Sequence, residues 1–158
     1  MPFLQNIGGI EYENASYTQT CIGSSTCRDN IKYMEGQGVN LYSVSLQNEP
    51  DYAADWTYWT ASDLASFAAQ YGKAVTNGTN AKLMSPESFQ YRKDLYNSLL
   101  NNAQAKANID AYGTHFYGTQ RSQMDFSALE NSGKEIWSMC RTPIPIPQTA
   151  GRKVFMLP

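Results

Sequence analysis

The sequence predicts an α/β fold of parallel strands covered by helices, and three observations carry that expectation. Four strand-like segments, Leu41 to Gln47, Ala81 to Met84, Ile109 to Tyr112 and Glu135 to Trp137, alternate with helix-like ones. Between the first two strands, Leu64, Phe67, Ala68, Tyr71 and Val75 recur at helical spacing, which marks a helix face packed on a core. The run Val39 to Gln47 mixes β-branched and aromatic residues and stops at Asn48-Glu49-Pro50, as a buried strand with a polar tip does. A βαβα alternation of this kind gives parallel strands with covering helices.

Each element has a local reason. Residues 1–30 predict an irregular segment, in which Cys21 to Asn30 carries no clear pattern. Pro50 ends the first strand because it offers no amide hydrogen to a ladder, which leaves Glu49 at a rim rather than inside the sheet. Ser62 suits the N-cap of a helix from Asp63 to about Val75, its hydroxyl accepting an otherwise unpaired amide. Asn77-Gly78 stops that helix. A second helix is expected near Arg92 to Leu100 or a little beyond, and a short one near Phe126 to Asn131. Residues 31–139 thus form the predicted folded domain. Cys140 to Pro158 contains Thr142-Pro143-Ile144-Pro145-Ile146-Pro147, an alternation that neither an interior strand nor a helix accommodates.

Composition excludes several classes. A net charge of -2, with 16% charged residues, provides no basic stripe for nucleic acid. No apolar run reaches membrane-spanning length. The start Met1-Pro2-Phe3-Leu4-Gln5-Asn6 has neither the charged nor the apolar region of a secretory signal. Cys21, Cys27 and Cys140 fit no zinc spacing, and the chain has one histidine, so neither a metal nor another cofactor is expected. Aromatics reach 13%, with eleven Tyr and three Trp. That abundance suits either a sugar-stacking surface or aromatic core packing.

The segment Val39 to Tyr52, followed by Asp55-Trp56-Thr57-Tyr58-Trp59-Thr60 and Ser85-Pro86-Glu87-Ser88-Phe89-Gln90-Tyr91, resembles glycoside hydrolase family 30, most closely its xylan-cleaving branch. The likeness continues through Gly113-Thr114-His115-Phe116-Tyr117-Gly118-Thr119-Gln120 and Gly133-Lys134-Glu135-Ile136-Trp137, in the same order. It covers about two thirds of the 158 residues. The resemblance implies a partial (β/α)8 TIM barrel, roughly strands four to seven with their helices; family members carry an attached β-sandwich, and no such side domain is expected in this chain. Strands one to three and eight find no counterpart, since a whole barrel takes about 250 residues. Open parallel edges of such a part are expected to favour self-association. Family members are retaining and secreted, and their implied partner is a β-linked polysaccharide such as xylan.

Retaining hydrolysis uses two carboxyl groups, one to protonate the leaving oxygen and one to attack the anomeric carbon. By the resemblance Glu49 is the acid/base, and Asn48 hydrogen-bonds a sugar hydroxyl; a turn residue is the bland reading of Asn48. Trp56 and Trp59 follow in a loop and are candidates for stacking on xylose rings, with one of them expected to pack on the barrel. Glu87 reads as a hydrogen-bonding residue of the site. His115 and Tyr117 stand two apart at a strand end and point into the site by the resemblance, against a plain core histidine.

The nucleophile is missing. After Ile136-Trp137 the chain reads Ser138-Met139-Cys140-Arg141, with no acid, and Glu135 is expected to face solvent at the strand entry. Ser138 to Lys153 admits codons that, read one nucleotide earlier, begin Glu-Tyr-Val-Pro-Asn-Ser and go on to Arg-Trp-Pro, which resembles the segment after the family's seventh strand. A frameshifted tail is therefore expected. Three functional readings remain open: an inactive part of a retaining endo-β-1,4-xylanase, a related β-glucan-cleaving hydrolase, and a non-catalytic carbohydrate-binding protein.

Overall fold

The computed structural model describes residues 17–52, 58–139 and 154–156. The elements in chain order are α1 (Tyr17–Gly36), β1 (Ser43–Ser45), α2 (Ala61–Thr76), β2 (Lys82–Met84), α3 (Lys93–Asn101), α4 (Ala103–Asn108), β3 (Ala111–Thr114), a 3-10 turn at Arg121–Gln123, α5 (Ser127–Glu130), β4 (Glu135–Ser138) and β5 (Val154–Met156). The strands form one sheet in sequential order, and every neighbouring pair is parallel. Sequential parallel order is the ladder of a (β/α) barrel.

One face of the sheet holds the core. Val44 pairs with Leu83, and Tyr112 pairs with Ile136. Val44, Leu83 and Tyr112 are buried, with Ile136 packed against them. Facing them are Leu64, Phe67, Ala68 and Val75 of α2, Leu95, Tyr96 and Leu99 of α3, and Leu129 of α5. Helix α2 packs against α1, α3 and α4, so the helices make a contiguous layer. Gly72 permits a close approach here, because a Cβ would meet Asn108 Cβ and Leu83 Cδ2, each at 3.1 Å.

Strand side chains alternate between faces, so Glu135 and Trp137 lie opposite Ile136. Glu135, expected to face solvent, is partly exposed and engaged by its neighbours. Its carboxylate accepts from Tyr42 Oη (2.9 and 3.0 Å), Lys82 Nζ and Trp137 Nε1 (3.1 Å). Lys82 also lies over the Tyr42 ring, 4.4 Å from its centroid. This cluster ties the entrances of β1, β2 and β4 together across the small Ala111 of β3.

Several sequence-based expectations need correction. The segment expected to be irregular is helical from Tyr17, and the four-residue spacing of buried Cys27 and Ile31 gives that helix its packing stripe. Thr60, not Ser62, caps α2, its Oγ1 accepting from Asp63 N at 3.1 Å. A helix that sequence reading missed, α4, begins where the Asn102 side chain accepts from Gln104 N and Ala105 N. Ile109 caps its end, so β3 starts at Ala111, two residues later than expected. The tail carries a fifth strand on the open edge of β4, with Trp137 opposite Phe155. The Pro-rich residues 142–147 lie outside the described residues. No helix among the described residues is long and apolar enough to cross a membrane.

Leu83 is fully buried at the centre of this arrangement. Leu83→Ala is expected to destabilise the chain by about 2–5 kcal/mol, read as a lower midpoint in urea unfolding. An unchanged midpoint would mean that β2 does not pack beneath α2.

Candidate active site

The C-terminal ends of β1, β2 and β3 carry the polar cluster. Backbone pairing continues past the strands and fixes their tips: Leu46 N donates to Met84 O (3.0 Å), Glu49 N to Glu87 O (3.1 Å) and His115 N to Ser88 O (3.0 Å). Asp51 ties two of the loops, accepting from Ser88 Oγ and from Phe89 N at 2.9 Å each. Glu49 and Glu87 adopt left-handed backbone angles, φ 47° and 57°. Such angles cost a non-glycine residue about 1 kcal/mol or more, and here the cross-loop hydrogen bonds hold them.

His115 lies between the two carboxylates. Its Nε2 is hydrogen-bonded to Glu87 Oε1 at 3.2 Å. Its Nδ1 stands 3.2 Å from Glu49 Oε1, within ion-pair distance but without hydrogen-bond alignment. The Glu87 side chain is 6% exposed and that of Glu49 is 18% exposed, so Glu49 is the one open to an incoming molecule. Burial raises the Glu49 pKa; the His115 charge works against that rise, and the Glu87 and Asp51 charges add to it. A carboxyl that keeps its proton closer to neutral pH is suited to general-acid work.

Gly113 sits directly beneath. A Cβ at this position would meet Met84 Sδ at 2.7 Å and Glu87 Cγ at 3.2 Å. Tyr96, fully buried, donates from its hydroxyl to Gly113 O at 3.0 Å and holds the strand from the helix side.

The other sequence candidates divide. Asn48 is exposed beside Glu49, and Tyr117 is 43% exposed, with its ring stacked 5.6 Å from His115. Trp59 does not reach the site. It is 7% exposed and meets Phe67 edge-on at 5.2 Å, because α2 needs an aromatic at its N-terminal end to close the core. Trp56 and Asp55 lie outside the described residues. Sequence reading gave no role to Asp51, although it directly follows Pro50 in the most informative motif. At the tip of β4, buried Ser138 pairs with Thr114, and no carboxylate occupies that strand position.

A parallel, barrel-type sheet with Glu49, Glu87 and His115 gathered at its C-terminal rim has its polar cluster where (β/α) barrel enzymes carry their sites. Comparison with known proteins makes the class specific. No protein-family model matches the chain. Over 132 residues it is 39% identical to Glucuronoxylanase XynC of Bacillus subtilis strain 168, covering 82% of this chain and 30% of that protein. A second Bacillus subtilis Glucuronoxylanase XynC is 43% identical over the same length. Among solved structures, a GH30 endoxylanase from Clostridium papyrosolvens C71 superposes with a TM-score of 0.73 at 37% identity, covering 80% of this chain and 32% of that one. The subfamily 8 xylanase Xyn30A from Clostridium acetobutylicum gives 0.66 at 32%, covering 78% and 31%. Over about four fifths of its own length the chain is thus similar to glycoside hydrolase family 30 xylanases and corresponds to a part of their barrel. It spans about a third of the length of the relatives it matches.

This geometry generates two expectations. A carboxyl whose folded-state pKa is raised binds its proton more tightly when folded, so stability falls as pH rises above its unfolded value. Glu49→Gln removes that cost. The thermal midpoint of the variant should exceed that of the wild type at pH 7, with the gap closing below roughly pH 4, the ordinary glutamate range. A gap that does not change with pH would mean that Glu49 titrates as a solvated side chain. Gly113→Ala should destabilise by about 1–3 kcal/mol through overpacking; a neutral effect on thermal unfolding would contradict the close approach of Met84 and Glu87.

Proposed function

We propose that this chain carries the acid/base half of a retaining endo-β-1,4-xylanase site and does not by itself complete the hydrolytic cycle. The observation that carries this reading is Glu49, held at the rim by His115 with its pKa raised. In this role Glu49 protonates the departing glycosidic oxygen, and Asn48 and Tyr117 contact the sugar ring. Glu87 is buried against His115 and acts as a positioning residue. Retention needs a nucleophilic carboxylate about 5–5.5 Å from the acid. Ser138 occupies the expected strand tip, so the covalent intermediate has no acceptor.

Xylan is the proposed substrate class, with a secreted setting and self-association through open sheet edges as further parts of the reading. The tail is proposed to be translated out of frame from the codons after Trp137. Carbohydrate binding without turnover is the second reading, favoured by the same absence of an acid at Ser138. The nucleotide sequence from the Ile136 codon onward separates the two: a shifted frame reading Glu-Tyr-Val-Pro-Asn-Ser supports a broken xylanase, and its absence supports binding alone.

The activity test is direct. Purified chain incubated with glucuronoxylan should release no more reducing sugar than a protein-free blank. Release that disappears in Glu49→Gln would overturn the proposed inactivity.

A further inference from the structure

Among the described residues the sheet ends on β1, and this end differs from the other. Tyr42 O accepts from Lys82 N (2.9 Å) and Leu46 N donates to Met84 O (3.0 Å), with Val44 paired to Leu83 between them. Tyr42, Val44 and Leu46 thus turn their backbone groups to β2, and in a parallel ladder the residues between them turn theirs the other way. Those residues are Ser43 and Ser45. Their outward amides and carbonyls meet no backbone partner among the described residues.

Natural edge strands discourage pairing with charges, prolines or bulges. The β1 edge has none of these. From Gly36 to Asn48 the chain carries no charged residue and no proline. Ser43, Val44 and Ser45 pair in unbroken register with Lys82, Leu83 and Met84, so no bulge turns the strand aside. Val39, just ahead of the strand, is exposed. The other end of the sheet is protected: β5 covers β4, and Arg152-Lys153 directly precede β5. Two such ends brought together would set like charges against each other.

The β1 edge also complements itself. Ser43-Val44-Ser45 reads the same in both directions. A two-fold axis through Val44 therefore sets Ser43 of one copy opposite Ser45 of the other, twice over. Both members of each pair have outward backbone groups, so each is a hydrogen-bonded antiparallel pair. An isologous two-fold contact of this kind is the commonest symmetry of soluble oligomers.

We propose that β1 pairs antiparallel with β1 of a second copy of this chain about a two-fold axis through Val44, continuing the sheet across the dimer. The assignment rests on the proposed self-association and names its edge, symmetry and register. The two Glu49 tips then lie at opposite ends of the joined sheets, so association leaves both rims open.

The test is sedimentation velocity of the full chain over a dilution series, for wild type and Ser45→Pro. Proline at this position removes only an outward amide, which an edge strand tolerates. Ser45→Pro is expected to weaken dimerisation about tenfold, the effect of losing the symmetry-related pair of hydrogen bonds. Amide exchange followed by NMR on the wild type reads the edge directly. Ser43 and Ser45 amides should gain protection as concentration rises, while Val44 and Leu46, bonded to β2, stay protected throughout. Circular dichroism melting shows whether Ser45→Pro folds; if it does not, the exchange data alone decide. Association that leaves the Ser43 and Ser45 amides unprotected, or that a folded Ser45→Pro retains in full, overturns the β1 pairing and leaves self-association standing. A wild-type chain that is monomeric up to its solubility limit overturns both.

Discussion

The imidazole of His115 between Glu49 and Glu87 is the contact on which the rim depends. A buried polar group needs partners, and each side of this ring faces a carboxylate from a different strand. Three loops must therefore keep register to within hydrogen-bond distance. The sheet supplies that precision: the backbone ladder runs on through Glu49, Glu87 and Ser88, and Asp51 pins the first loop to the second. Left-handed angles at Glu49 and Glu87 are tolerable under that restraint.

Two carboxylates at opposite ends of the strands show how environment divides their behaviour. At the entrance, burial pushes the Glu135 pKa up, but hydrogen bonds from Lys82, Trp137 and Tyr42, with the Lys82 charge, hold it below the ordinary value. Lys82 is raised in turn by the Glu135 and Tyr42 hydrogen bonds. At the exit, Glu49 is raised by burial and has negative neighbours in Glu87 and Asp51. The first is a charged tie between strands, and the second is the proposed proton carrier. The same residue type serves structure below and chemistry above.

Much of this was legible in the sequence. The periodicity of Leu64 to Val75 and the stop at Asn48-Glu49-Pro50 located α2, β1 and the rim position of Glu49. Strand edges were less legible, because Asn102 can cap a helix as readily as it can end one, and the end of α4 takes Ile109, which a strand pattern would claim. The fate of Trp59 depends on tertiary packing against Phe67, which no local signal reveals. Val154 to Met156 is an apolar run, but a three-residue strand behind a Pro-rich segment has too little pattern to stand out. The role of Asp51 was hidden for a different reason: its partners Ser88 and Phe89 are distant in sequence.

The most direct test of the account is a carbon-13 NMR titration of the Glu49 carboxyl in wild type and in Glu87→Gln. The account predicts a midpoint above the ordinary glutamate value in wild type, and a lower one once the neighbouring negative charge is removed. A Glu49 carboxyl that titrates as an ordinary glutamate in both proteins would contradict the claim that His115 and Glu87 organise an acid at this rim.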